Sequence, residues 1–112
     1  MIMTVEQIAK RLNAEIINMP FPEREADGVY CGDLLSWVMG HAKPDNIWVT
    51  IMTNKNVLAV ASLIDMSCVI ISEDAVLDKE FIDTALEKEI NILRCKQDNY
   101  SCCAELYRLL NE

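Results

Sequence analysis

Glycine is scarce in this chain: only Gly28, Gly32 and Gly40 occur among 112 residues. A loop that cradles phosphate needs glycines at fixed spacing before a helix, and neither GxxxxGK[ST] nor GxGxxG is present. That excludes a self-sufficient P-loop kinase and a standard dinucleotide enzyme. Histidine is scarcer still, with His41 alone. It stands in Gly40-His41-Ala42-Lys43 at the end of a predicted helix, where a C-terminal cap on the helix dipole accounts for it. A His–Cys catalytic pair is the weaker reading, because nothing in the sequence marks a nucleophile beside it. The five cysteines contain no CxxC pair, the spacing that announces zinc and iron–sulfur sites. They read as free thiols, most of them small core residues, rather than as a disulfide framework. No catalytic residue, metal or cofactor is expected.

Clustered positive charge is also missing. Ten basic residues are dispersed, with no run longer than Lys10-Arg11, against 18 acidic ones, a net charge of −8. Nucleic-acid binding needs grouped Lys and Arg to displace counterions, so it is excluded. The longest apolar run, Val57 to Ile64, is broken by Ser62 and falls far short of the roughly 20 residues that a membrane span needs. No charged segment precedes a long apolar stretch at the N-terminus, so a cytoplasmic location is expected. Length fits one domain over residues 1–112, and the 52% hydrophobic content supports an ordinary core. The apolar surplus, six Met included, either fills that core or leaves surface for a partner.

What is present is a regular alternation. Thr4-Val5-Glu6-Gln7 has capping-box form, and Val5, Ile8, Ala9 and Leu12 fall on one helical face. A strand is predicted over Ala14 to Met19. Residues 20–32 hold Pro20, Pro22, Gly28 and Gly32 and read as a loop, in which Val29-Tyr30-Cys31 suits a short strand. Asp33 is placed as N-cap of a helix carrying Leu34, Leu35, Val38 and Met39 on one side, with Gly40 and Pro44 ending it. The stretch Asn46 to Ser72 is the most informative. It reads as a strand, Ile47 to Met52, a polar turn, an apolar helix from about Asn56 to Met66 buried on several sides, and a strand, Cys68 to Ser72. That is a βαβ unit of a parallel sheet.

A helix follows over Asp78 to Glu89, burying Phe81, Ile82, Ala85 and Leu86. A strand from Ile90 to Cys95 leads to a closing helix from about Asn99 to Asn111, which aligns Cys103, Leu106 and Leu110. The fold class is α/β, with a mostly parallel sheet of four or five strands flanked by helices.

Such sheets bind ligands beyond the carboxyl ends of their strands, often at a helix N-terminus. Thr53, Asn54, Lys55 and Asn56 occupy that place, followed on the next strand by Ser72 and Glu73 with Asp74. Lys96 follows the last strand, and Gly32 and Asp33 open the second helix. These groups suit a small anionic or nucleotide-like ligand. The competing reading is that Asn54 or Asn56 only caps its helix. Glu23, Glu25 and Asp27 could bind a cation on the long loop, but a solvated loop is the better explanation of them.

The order of these segments resembles the DRTGG domain family across nearly the full chain. The resemblance rests on Thr4 to Ala9, on GVYCGDLLSWVMG (Gly28 to Gly40), on WVTIMTNKNVLAVASLIDMSCVIIS (Trp48 to Ser72), and on the Asn91-Ile92-Leu93 strand with its final helix. The signature itself is replaced by Cys31-Gly32-Asp33-Leu34-Leu35, which keeps a Gly-Asp pair. The resemblance implies a regulatory or ligand-binding α/β domain without catalysis of its own, often a dimer. Related domains accompany phosphate acetyltransferases, CBS-domain regulatory proteins and the N-terminal part of HPr serine kinase/phosphorylase. The leading expectation is a dimeric module that senses a small ligand. Second comes an adaptor for a larger enzyme, with Trp37 and Tyr107 as exposed contacts. A thiol- or metal-dependent enzyme comes last.

Overall fold

The computed structural model describes residues 2–112. Its centre is a five-stranded sheet in the order β2-β7-β6-β5-β4. The strands are β2 (Glu15–Asn18), β4 (Val29–Cys31), β5 (Ile47–Thr50), β6 (Cys68–Ile71) and β7 (Ile92–Arg94). Strands β4, β5, β6 and β7 run parallel, and β2 closes one edge antiparallel to β7. The predicted βαβ unit is present: Ile47 to Thr50 pair in register with Cys68 to Ile71, across helix α3 (Asn56–Ile64).

Alternation along the central strands sorts side chains to two faces. Ile47, Val49, Cys68, Ile70 and Leu93 join one core with α1 (Val5–Leu12) and α5 (Asn99–Leu110). Trp48, Val69, Ile71 and Ile92 join the other, with α2 (Leu35–His41), α3 and α4 (Lys79–Lys88). Both faces of β5 and β6 are covered, which is why these strands are apolar at almost every position. A two-stranded ribbon, β1 (Met3–Thr4) with β3 (Glu25–Ala26), fastens the chain start to the long loop. The composition of residues 20–32 gives no sign of β3. The short strand read within that loop, Val29 to Cys31, is β4.

Helix ends follow local chemistry closely. Thr4 completes its capping box with Gln7, with N–H to side-chain oxygen distances of 2.9 and 3.2 Å. Asp78 and Asp98 cap α4 and α5 through the N–H groups of Phe81 and Ser101.

Several expectations need correction. Asp33 caps no helix: Leu34 is the N-cap of α2 and makes no side-chain cap bond. Gly40 does not end α2 but lies inside it, and the helix runs to His41. Of that helix's apolar residues only Val38 is buried, because a seven-residue helix on an outer face reaches the sheet with one residue. Helix α3 buries Val57, Leu58, Val60 and Ala61, yet Leu63 remains 71% exposed, so only one side is covered. On α4, Phe81 and Ala85 are buried whereas Leu86 is exposed. On α5 the buried stripe passes through Cys102 rather than Cys103.

Candidate functional site

The carboxyl ends of the four parallel strands lie along one edge of the sheet. There, the polar groups are organised around Asp33, just beyond β4. Its carboxylate accepts a hydrogen bond from the Thr50 hydroxyl at 2.6 Å and from the Ile51 N–H at 2.9 Å. The other oxygen accepts from the Asn99 side-chain amide at 3.1 Å. Asn99 in turn accepts from the Ser72 hydroxyl, and the Ser72 N–H donates to the Thr50 carbonyl at 3.0 Å. Thr50 and Ser72 are fully buried, and each hydroxyl has a partner in this network, as buried polar groups require. Gly32 fixes the approach to Asp33. Its carbonyl accepts from the Trp48 indole at 3.0 Å, and a Cβ there would stand 3.0 Å from the Tyr30 ring.

Of the sequence-predicted site residues, Gly32, Asp33 and Ser72 therefore come together. Glu73 follows directly in a left-handed conformation, φ 62°, and its N–H donates to the Gln97 carbonyl at 2.8 Å. Thr53, Asn54, Lys55 and Asn56 form a separate turn. Among the described residues no hydrogen bond joins that turn to Asp33. Asn54 accepts from the Asn56 N–H at 2.9 Å, closing the turn ahead of α3, while the N-cap position belongs to Lys55, without a side-chain cap bond. Thus neither Asn54 nor Asn56 is the N-cap. Lys55 reaches Glu80 on α4 at 3.0 Å, with both side chains largely exposed. The backbone N–H groups of Thr53, Asn54 and Lys55 meet no intramolecular acceptor among the described residues. Three backbone donors without an intramolecular acceptor thus precede α3, beside an ammonium paired with Glu80.

Two members of the edge network, Thr50 and Asn99, were not read from the sequence. Thr50 ends an apolar strand and Asn99 opens a helix after its Asp98 cap, positions that carry no signal beyond their residue type. Lys96 lies apart, with Arg94 and Gln97 in a cavity of about 410 Å³ on the β2 side of β7. Gln97 Oε1 is buried there without a hydrogen-bond partner.

A larger groove, about 680 Å³, runs beside the open edge of β4 and along α5. Val29, Cys31, Tyr100, Cys103 and Tyr107 are among its lining residues, and none of the predicted site residues is. The cysteines divide into a buried set, Cys68, Cys95 and Cys102, and a groove pair, exposed Cys31 with half-buried Cys103. Complete burial pushes the Cys68 thiol up to about 12. A hydrogen bond from Cys102, winning over burial, lowers the Cys95 thiol. Among the described residues no group of three or more His, Cys, Asp or Glu is placed to hold a metal ion, Glu23, Glu25 and Asp27 included. His41 stands at the C-terminus of α2, as expected; its Nδ1–H donates to the Trp37 carbonyl at 2.8 Å, and its ring stacks on Trp37. No described helix is long and apolar enough to cross a membrane.

This architecture has a solved counterpart. The crystal structure of the CBS and DRTGG domains of the regulatory region of Clostridium perfringens pyrophosphatase, complexed with the activator diadenosine tetraphosphate, matches with a TM-score of 0.70. The fold is DRTGG-like. Sequence identity is 17%, and the match covers 90% of this chain and 44% of the pyrophosphatase chain. The chain thus spans less than half the length of its counterpart. No family model matches it, and no curated protein does. Within the DRTGG-like fold the Asp33 network takes the sheet edge where α/β folds carry their ligands.

Proposed function

We propose that this chain is a non-catalytic DRTGG-like regulatory module that senses a small anionic ligand of nucleotide type at the carboxyl edge of its sheet. The observation that carries this reading is the start of α3. Unpartnered N–H groups of Thr53, Asn54 and Lys55 sit beside an exposed ammonium, one strand-end from the Asp33 network. A nucleotide activator accompanies the pyrophosphatase regulatory region, which supports the same ligand class here. Phosphate would take the turn, and the exposed carboxylates of Asp33 and Glu73 offer acceptors to sugar or base hydroxyls and amines, with buried Ser72 holding Asn99 in place behind them. The module works as one cytoplasmic domain and as a homodimer within or beside a larger enzyme.

A thermal-shift screen across nucleotides and acyl phosphates tests the proposal. A ligand at about 100 times its Kd stabilises the fold by about 2.7 kcal/mol, a shift of about ten degrees. Asn54→Ala, which opens the turn, is expected to weaken a confirmed binder. If no compound shifts the transition, or the variant binds unchanged, the strand-end reading fails. Sedimentation at micromolar concentration tests the dimer, and a monomer there defeats it.

The second reading is an adaptor without a small ligand. Its specific support is apolar surface: Trp37 is 56% and Tyr107 71% exposed, on opposite sides of the sheet. Co-purification with one partner enzyme, lost in Trp37→Ala or Tyr107→Ala, would favour the adaptor.

A further inference from the structure

The geometry points to a second site, independent of the strand-end ligand: Cys31 and Cys103 form an oxidation site that closes to a disulfide when the chain meets a small disulfide oxidant such as oxidised glutathione. Cys31 ends the open edge strand β4, and Cys103 lies on the first turns of α5, which packs across β4 and β5. Both thiols line the 680 Å³ groove, where each shifts the titration of the other. Cys31 is the groove's exposed thiol, so one sulfur of a glutathione disulfide can reach it from solvent. The other close pair, Cys95 with Cys102, is buried in the core between α5 and the sheet and offers no such access.

The steps balance. The Cys31 thiolate attacks one sulfur of the oxidant, the S–S bond breaks, and a glutathione thiolate leaves to take a proton from water. Cys103, giving its proton to solvent, then attacks the Cys31 sulfur and expels the second glutathione. Two protein thiols are oxidised and one glutathione disulfide is reduced to two thiols. The new bond fastens β4 to α5 on either side of the Asp33–Asn99 hydrogen bond, two residues before Asp33 and four after Asn99.

Burial holds both thiols above their ordinary range, Cys103 at about 12. The hydrogen bond from Cys103 lowers Cys31 and the Asp33 charge raises it, while Cys31 and Cys95 raise Cys103. Asp27, Tyr100 and Tyr107 complete the groove's titratable groups. Closure therefore accelerates as pH rises from about 7 to about 9, following the thiolate fraction.

The test exposes the full reduced chain to oxidised glutathione at about pH 8.5 and maps its thiols under non-reducing conditions. Expected are the loss of two of the five thiols, a mass decrease of about 2 Da, and one cross-linked peptide joining Cys31 to Cys103. Cys103→Ser is expected to stop at a glutathione adduct on Cys31, and Cys31→Ser to block thiol loss. Cys95→Ala is expected to cross-link like the parent chain. Circular dichroism checks that each variant folds, and the peptide map of the unsubstituted chain decides the matter if one does not. A Cys95–Cys102 bond, an intermolecular bond, a persistent mixed disulfide in the unsubstituted chain, or five unreacted thiols would each overturn the proposal.

Discussion

The Thr50 hydroxyl donates a hydrogen bond to Asp33 at 2.6 Å, linking the carboxyl ends of neighbouring strands β5 and β4. Thr50 is fully buried, so this one contact ties a core hydroxyl to a surface carboxylate. Replacing Asp33 with Ala leaves the Thr50 hydroxyl, the Ile51 N–H and the Asn99 amide without their acceptor. The expected cost is about 1–3 kcal/mol, read from the urea midpoint. Thr50→Val, which removes the hydroxyl at nearly constant shape, is expected to cost less. An unchanged midpoint for Asp33→Ala would mean that the network does not stabilise the edge.

At the opposite end of the sheet, buried Asn91 clamps the long loop. Its oxygen accepts from the Phe21 N–H at 3.0 Å, and its amide donates to the Phe21 and Ser67 carbonyls at 2.9 and 3.1 Å. Asn91→Ala strands three backbone groups and is expected to cost about 2 kcal/mol or more. Asn91→Asp keeps the acceptor but loses both donated bonds, and is expected to be no better. Equal stability of the unsubstituted chain and Asn91→Ala in denaturant would defeat this.

Asp98 caps α5, and hydrogen bonds from the backbone and hydroxyl of Ser101 hold its carboxyl below the usual carboxylate value. A depressed folded-state value gives stability that is present above the unfolded value, about 3.9, and is lost as pH falls through the folded one. Asp98→Ala is therefore expected to be less stable than the parent at neutral pH. The two chains should converge in acid, below the folded-state value. A constant difference from neutral to strongly acidic pH would show that the cap's charge is not what stabilises the helix.

Lys55 separates stability from binding. Its pairing with Glu80 is exposed, so Lys55→Ala is expected to change stability by less than about 1 kcal/mol. Under the strand-end reading the same variant weakens an anionic ligand about tenfold, and the loss shrinks at high salt. Isothermal titration at two ionic strengths measures both effects. Salt-independent binding, unaffected by the substitution, would remove Lys55 from the site.

Much of the fold was legible residue by residue. The capping box at Thr4 and the apolar strands on both sides of Asn56 to Ile64 are local signals, set by propensity and hydrogen bonding within a few residues. The site was legible only in part. Asp33 looked like a helix cap because an Asp before an apolar stretch usually is one. Thr50, Ile51 and Asn99 outcompeted that role, and two of them approach only once β5 pairs with β4 and the third once α5 crosses the sheet. The burial of α3 was overread for a related reason. An apolar sequence states a preference for burial, but the neighbours available decide how many sides are covered, and Leu63 stays mostly exposed.

By itself the sequence determined the α/β class, the order of the five helices and of the strands of the main sheet, and the absence of phosphate loops and CxxC spacing, because each depends on local periodicity or on residue types at fixed separation. The tertiary structure alone decided which polar residues meet at the sheet edge, which thiols line the groove, and which strand is left open. Those are contacts between residues far apart in the chain, fixed by strand register and helix packing, and no local pattern encodes them.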